Sequence, residues 1–263
     1  MAGHYADRVV IVTGGTRGIG RASVEVFAEA GARVVFCAER PDGGDALASD
    51  VTAAGPGLAE FMLCDVADHE AVSRLVTATA ERLGRLDCLI NNAGWHPPHR
   101  PIDGFTVAEF DALWRLNVVG MFAACQAALP HLRKCQGSII NIASLVATIG
   151  QHHATTYCAT KGAVVSFTKA LAVDEAPHGV RVNSVSPGNV DTPLWQEAVA
   201  ASATPGQTWS DGLAAQPMAR MATPVEVARV CLFLAAEATF TTGADHIVSG
   251  GAELGYGRKV RDA

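Results

Sequence analysis

The run Arg8-Val9-Val10-Ile11-Val12-Thr13 leads without a break into Gly14-Gly15-Thr16-Arg17-Gly18-Ile19-Gly20, and no other stretch limits the fold so sharply. Four consecutive Val and Ile residues suit a strand buried on both faces, which in a parallel sheet reads as a continuous apolar run. Residues 21–30 then carry Ala22, Val26 and Ala30 at the spacing of one helical face. A strand that passes through spaced glycines into a helix brings backbone N–H groups and a helix N-terminus to a pyrophosphate. Side chains at the glycines would hold the phosphates off or collide with the helix. A plain βα turn accounts for the pattern less well, so Gly14, Arg17, Gly18, Ile19 and Gly20 are the expected phosphate cradle.

The same alternation continues along the chain. Residues 33–37, 60–64, 86–90, 138–142, 180–186 and 246–249 read as further strands, with helical patterns at 70–83, 113–132, 156–176 and 225–235. No proline-rich linker or internal repeat interrupts them. The expectation is an α/β fold: a Rossmann-type doubly wound parallel sheet, with residues 1–263 forming a single domain. A polar, alanine-rich stretch broken by Pro205 and Pro217 has no place in such a sheet, and residues 189–222 read as a substrate lid.

In open parallel sheets ligands sit beyond the carboxyl ends of the strands. After the second strand stand Ala38, Glu39 and Arg40. A carboxylate there accepts from the ribose hydroxyls and repels a 2′-phosphate, whereas a guanidinium attracts one. Glu39 therefore favours NAD, while Arg40 and Arg17 would admit NADP. Asp65, followed by Val66, is placed to reach an adenine amino group. Asn92, Ala93 and Gly94 offer the close approach that small residues allow. The turn Pro187-Gly188-Asn189-Val190-Asp191-Thr192 can lay the Pro187, Gly188 and Val190 backbone against a nicotinamide carboxamide, with the Thr192 hydroxyl near phosphate.

Chemistry enters at Tyr157-Cys158-Ala159-Thr160-Lys161. Residues four apart share a helix face, and a cation beside a phenol stabilises the phenolate and lowers its pKa from about 10. Such a tyrosine can exchange a proton with an alcohol or carbonyl. Alone the pair means little, because many solvated helices carry one by chance. Ser144, at a strand end thirteen residues earlier, reads either as a helix cap or as a donor to a reacting oxygen. Asn117, inside an apolar helical run, either bridges a kink or takes part in a proton relay. The stiff stretch 95–101 supplies His96, a candidate substrate contact with the bland alternative of a proline-braced surface loop. Gln151, Asn189 and Trp195 complete the substrate set, together with Ser144 and Tyr157. His152 and His153 are adjacent, which is not the spacing of a closed metal site, and no metal is expected.

A net charge of −6 argues against nucleic acid, whose phosphates demand a basic surface. No apolar run approaches the roughly 20 residues that span a bilayer, and residues 1–8 lack the apolar core of a secretory leader. The expectation is a cytoplasmic protein acting on a small molecule, with neither membrane nor nucleic acid as partner. Seven cysteines, never at CxxC or metal-ligand spacing, read as reduced thiols.

Taken together, these residues resemble the short-chain dehydrogenase/reductase family over nearly the whole chain. Thr13-Gly14 through Gly18 and Gly20, Asn91-Asn92-Ala93-Gly94, Asn117, Ser144, Tyr157-xxx-Lys161 and Pro187-Gly188 fall in that family's order and spacing. The resemblance implies that Tyr157 is the general acid/base and that Lys161 lowers its pKa and binds the nicotinamide ribose. It further implies that Ser144 orients the substrate oxygen, that Asn117 holds a relay water, and that the assembly is a homotetramer. A narrower likeness, to family members acting on L-fucose or on 17β-hydroxysteroids, rests on several stretches. These are His96-Pro97-Pro98, Leu145-Val146, Gly150-Gln151, Asn189, Pro193-Leu194-Trp195 and Gly250 to Gly257. It implies that Tyr256 closes a neighbouring subunit's pocket. The chain departs at the ribose site, where Ala38 replaces an expected Asp.

Three readings of the function follow. His96, Gln151 and His152 suit a hydroxyl-rich sugar oxidised at its anomeric carbon, a lactol becoming a lactone. Trp95, Leu194 and Trp195 could instead supply the apolar slot of a hydroxysteroid dehydrogenase, at the cost of polar groups left unpaired along it. A non-catalytic dinucleotide-binding module would be marked by loss of Ser144, Tyr157 or Lys161, and all three are present.

Overall fold

The computed structural model describes residues 4–254. Its strands are β1 Val9–Thr13, β2 Arg33–Ala38, β3 Leu58–Leu63, β4 Cys88–Asn91, β5 Ser138–Ile142, β6 Arg181–Pro187 and β7 Asp245–Val248. They form one wholly parallel sheet in the order β3-β2-β1-β4-β5-β6-β7. Strand order reverses between β1 and β4, which opens the crevice where such sheets take ligands. The helices are α1 Gly18–Glu29, α2 Gly44–Ala54, α3 His69–Leu83, α4 Val107–Trp114, α5 Gly120–Cys135, α6 Val146–Ile149, α7 Thr155–Glu175, α8 Pro193–Ala200, α9 Pro205–Ala214 and α10 Pro224–Ala236.

The unbroken apolar character of β1 has a direct cause: the strand feeds two cores. Val10 and Val12 face α1, α2 and α10, packing with Phe27, Val51 and Leu234. Val9 and Ile11 face α3, α5 and α7, packing with Val76, Leu132 and Val164. All five β1 residues are buried. A Val or Ile buried this fully contributes roughly 1.5–3 kcal/mol, so a polar residue on either face of β1 would cost heavily.

Three features depart from the sequence expectation. α2 went unanticipated because only Leu47 and Val51 give it an apolar stripe. The helical run at 113–132 is three segments, α4 and α5 joined by a five-residue π turn, Arg115–Val119; an apolar pattern tolerates one extra residue per turn without showing it. Val107–Cys135 is also long and apolar enough, by length and composition, to cross a membrane, contrary to the expectation that no stretch would be. In this fold the segment carries buried core residues, among them Met121, Ala124, Cys125 and Leu132, and α5 packs along α3. The expected lid holds two helices, α8 and α9, rising from a stem where Val190 bridges Ala222.

Candidate active site

Glycine is obligatory at several points of the crevice floor. Gly14 and Gly18 adopt φ of +66° and +57°, which side chains other than glycine rarely tolerate. A Cβ on Gly20 would stand 2.0 Å from the Gly14 carbonyl oxygen, and one on Gly14 would stand 2.9 Å from the Ala93 Cα. The loop is therefore pressed onto the end of β4. Asn92 fastens it there, its Nδ2 donating to the Thr13 and Gly14 carbonyls at 2.9 Å each. The Thr13 hydroxyl accepts the Asn92 and Ala93 N–H groups at 3.0 and 3.1 Å. Thr13 is the seam between the two strands, and nothing in its sequence context distinguishes it from an ordinary strand residue.

α1 opens on this loop with Arg17 as N-cap, without a side-chain cap and without an acidic residue in its first turn. Unpaired N–H groups and the helix dipole are thus left to an anion, the provision a dinucleotide pyrophosphate needs. Arg17 meanwhile pairs with Glu197 at 2.7 Å, which ties α8 to the loop. At the ribose position Glu39 and Arg40 pair with each other at 3.0 Å, both exposed. Asp65 turns back to accept the Ala67 N–H at 2.8 Å, and Val66 is buried beside it. The Thr192 hydroxyl caps α8 by accepting the Trp195 N–H at 3.3 Å. The Pro187 carbonyl accepts the Leu145 N–H, which ties the end of β6 to the residue after Ser144. A Cβ on Gly188 would meet Gln216 Oε1 at 2.8 Å and the Ser249 Cα at 3.0 Å, and Val190 is buried. Ile19 packs against the core on one side of the sheet and Ala93 against the core on the other.

The reacting groups meet where β5 and α7 converge on the crevice floor. The Ser144 hydroxyl stands close enough to the Tyr157 phenol to draw its pKa down. Lys161 is buried and its Nζ donates to the Ile142 carbonyl at 2.8 Å, 5.7 Å from the centre of the Tyr157 ring. Burial dominates both groups: it pushes the Tyr157 phenol up to about 12, against the effect of Ser144, and the Lys161 amine down to about 8. In the protein by itself the tyrosine is thus an acid raised by burial, where a neighbouring ammonium would have lowered it.

Asn117 sits inside the π turn, buried, with its amide fully engaged. Its Oδ1 accepts the Trp95 N–H at 2.9 Å, and its Nδ2 donates to the Trp95 carbonyl and the Thr160 hydroxyl at 3.0 and 3.1 Å. Thr160, fully buried, donates in turn to the Tyr157 carbonyl at 2.8 Å. The π insertion rotates Asn117 into this network, a common use of such bulges at functional sites. A Cβ on Gly94 would stand 3.1 Å from Asn117 Oδ1 and 3.6 Å from Lys161 Nζ, so only glycine keeps open the space these two atoms border.

Of the substrate candidates, His96 and Gln151 come together beside the tyrosine. The His96 Nε2 meets Gln151 Oε1 at 3.0 Å, and its ring centre lies 4.2 Å from that of Tyr157. Asn189 and Trp195 lie within the lid. The Asn189 Nδ2 donates to the Gly212 carbonyl at 2.9 Å, while its backbone N–H donates to Gln216 at 2.8 Å. The Trp195 indole lies against Gly212, where a Cβ would approach within 2.5 Å, and its buried Nε1 has no hydrogen-bond partner among the described residues. Gln216, buried at the lid stem, was not singled out by the sequence; a glutamine between two helices gives no local signal. Among the described residues no cluster of His, Cys, Asp or Glu could hold a metal ion. Tyr256 lies outside the described residues.

Comparisons with known proteins agree with this geometry. A family model described as enoyl-(acyl carrier protein) reductase matches residues 14–253. The L-fucose dehydrogenase of Bos taurus is 51% identical over 263 residues, covering 100% of this chain and 96% of that one. The L-fucose dehydrogenase of Mus musculus is 50% identical over 256 residues, covering 97% and 92%. The ligand-free aldohexose dehydrogenase of Thermoplasma acidophilum superposes with a TM-score of 0.88 at 30% identity, over 100% of both chains. With the glycine cradle, the Ser144–Tyr157–Lys161 cluster and full-length relatives of this kind, the chain belongs to the short-chain dehydrogenase/reductase family, as an oxidoreductase that acts on CH–OH donors with a nicotinamide dinucleotide.

Proposed function

We propose that the protein is an L-fucose-type sugar dehydrogenase, oxidising a lactol to its lactone with NAD. The observation that carries this reading is the polar wall beside the acid/base: the His96–Gln151 pair at 3.0 Å, with the histidine ring 4.2 Å from that of Tyr157. A sugar offers hydroxyls to the Gln151 amide N–H groups beside this pair, whereas an apolar substrate would bury them unpaired at a cost of roughly 1–3 kcal/mol. The names of the two mammalian relatives point the same way.

On this reading the carbinol oxygen sits between Ser144 and Tyr157. Ser144 orients it and Tyr157 takes its proton, while Lys161, held by the Ile142 carbonyl, would bind the nicotinamide ribose. The bound dinucleotide supplies the hydride acceptor. The space over Gly94 bordered by Lys161 Nζ and Asn117 Oδ1 is where a relay water would sit on this reading. Gly14, Gly18, Ile19, Gly20, Ala93 and Gly94 would line the cofactor, and the N-terminal N–H groups of α1 would hold its pyrophosphate. Glu39 favours NAD, although its pairing with Arg40 weakens the repulsion of a 2′-phosphate and leaves NADP usable.

A 17β-hydroxysteroid dehydrogenase is the second reading, favoured by the exposed apolar side chains Trp95, beside His96, and Ile149, at the end of α6 two residues before Gln151. Initial rates at 340 nm with NAD and NADP, each against L-fucose, other aldoses and estradiol, decide between them. A higher kcat/KM for estradiol than for L-fucose would overturn the sugar reading. The protein is further proposed to be a cytoplasmic homotetramer. Exposed Phe233, Phe240 and Ile247 on α10, after it and on the edge strand β7 are the kind of surface a second copy covers; a monomer in light scattering would refute the assembly.

A further inference from the structure

We propose that Arg100 is a positioning residue, which holds the loops carrying His96 and Gln151 together so that this pair stands against Tyr157. The inference rests on the reading of His96 and Gln151 as substrate contacts. The stretch 95–101 contains three prolines, Pro97, Pro98 and Pro101, and so has few N–H groups with which to anchor itself. One end is pinned by the Asn117 amide to both backbone groups of Trp95. The other end is pinned by Arg100, whose backbone N–H donates to the His153 carbonyl at 2.9 Å.

That carbonyl belongs to a tight turn, closed by the Ala154 N–H on the Gln151 carbonyl at 3.3 Å, in which His153 takes φ of +58°. A residue with a Cβ enters this region at a cost, and such strain collects where a segment must be held in one shape. The bond therefore joins the Gln151 turn to the His96 loop.

The Arg100 side chain fixes the same point to a rigid element. Its Nη2 donates to Glu109 Oε1 at 2.6 Å, and its guanidinium lies over the Phe105 ring at 4.1 Å. The other Glu109 oxygen accepts the Thr106 N–H at 2.7 Å and its hydroxyl at 2.9 Å in the capping box of α4. Between the two anchors His96 is clamped: Nδ1 donates to the Pro97 carbonyl at 2.6 Å and Nε2 meets Gln151. An exposed ion pair of this kind adds little to global stability, so the loss of Arg100 falls on the loop and leaves the fold intact.

The test uses the full-length enzyme with NAD, and Arg100→Gln, Arg100→Lys and His96→Ala. Arg100→Gln is expected to raise KM for L-fucose about tenfold with kcat changed less than threefold, and to bring the His96 imidazole NMR signals toward those of a solvent-averaged histidine. Arg100→Lys, which keeps the cation but loses the planar fork, should restore part of both. In the His96→Ala background, Arg100→Gln should raise KM no further. Unmoved imidazole signals in Arg100→Gln, or effects on KM that multiply in the double variant, overturn the proposal. If the imidazole moves while KM for L-fucose does not, Arg100 positions the loop as proposed and the sugar reading of His96 fails.

Discussion

Burial acts against the ionised form of both Tyr157 and Lys161, holding the phenol at about 12 and the amine at about 8. At pH 7 the Lys161 amine is still protonated, so it is the Tyr157 phenolate that needs something charged or polar to arrive in the groove. If Tyr157 takes the substrate proton as proposed, Tyr157→Phe should lower kcat by roughly 10²-fold or more, with dinucleotide affinity, read by fluorescence titration, nearly unchanged. Lys161 should be costly to the fold. Its amine is lowered from an ordinary 10.5 to about 8, so between those values the unfolded chain binds the extra proton and stability rises with pH. Below pH 8 both states are protonated and the full penalty, roughly 3 kcal/mol, remains. Lys161→Met is therefore expected to be inactive yet more stable than the parent at pH 7, with the gain shrinking toward pH 10. A larger gain at pH 10 than at pH 7 in denaturant titrations would sink the argument. Spacing alone made Tyr157, Lys161 and Ser144 legible as candidates. Thr13 and Thr160 were not, because a threonine whose hydroxyl joins two distant segments looks locally like any other.

Elements place these residues, and here the π turn and the lid matter most. Asn117→Ala would orphan the Trp95 N–H and carbonyl and take one donor from the Thr160 hydroxyl, which keeps its own bond to the Tyr157 carbonyl. Left buried and unpaired, such groups cost roughly 1–3 kcal/mol each. Partial relaxation makes a loss of about 2–4 kcal/mol the expected outcome in chemical denaturation; a loss below about 0.5 kcal/mol would show that the network is dispensable. At the lid stem, Asn189→Ala removes the tie between the β6 turn and the Gly212 carbonyl. Local opening should increase while the global fold holds, so limited proteolysis within 193–214 should quicken several-fold with little change in Tm. Equal cleavage rates would return Asn189 to the role of a simple substrate contact. The helices themselves were readable from apolar spacing. The π insertion was not, since it changes which way one residue points without altering composition.

On the scale of the whole molecule, β1 divides two cores and the reversal of strand order beside it opens the groove. Five of the cysteines, Cys37, Cys64, Cys88, Cys125 and Cys231, are buried in or beside those cores, while Cys135 and Cys158 are half-buried, and all seven are free. A thiol reagent should accordingly find Cys135 and Cys158 in the native protein and the other five only after unfolding; fast native reaction at Cys88 or Cys231 would contradict the described core. The glycines, the β-branched runs and the Tyr-Lys spacing determined the fold class and the reaction class from the sequence, because each rests on local geometry: a missing Cβ, a period of two, a helical turn. Tertiary structure alone decided that His96 and Gln151 share a wall, that Asn189 and Trp195 are held within the lid, and that Arg100 braces the loop. Those outcomes depend on which distant backbone groups are left without partners once the sheet has closed, and the linear chain carries no trace of them.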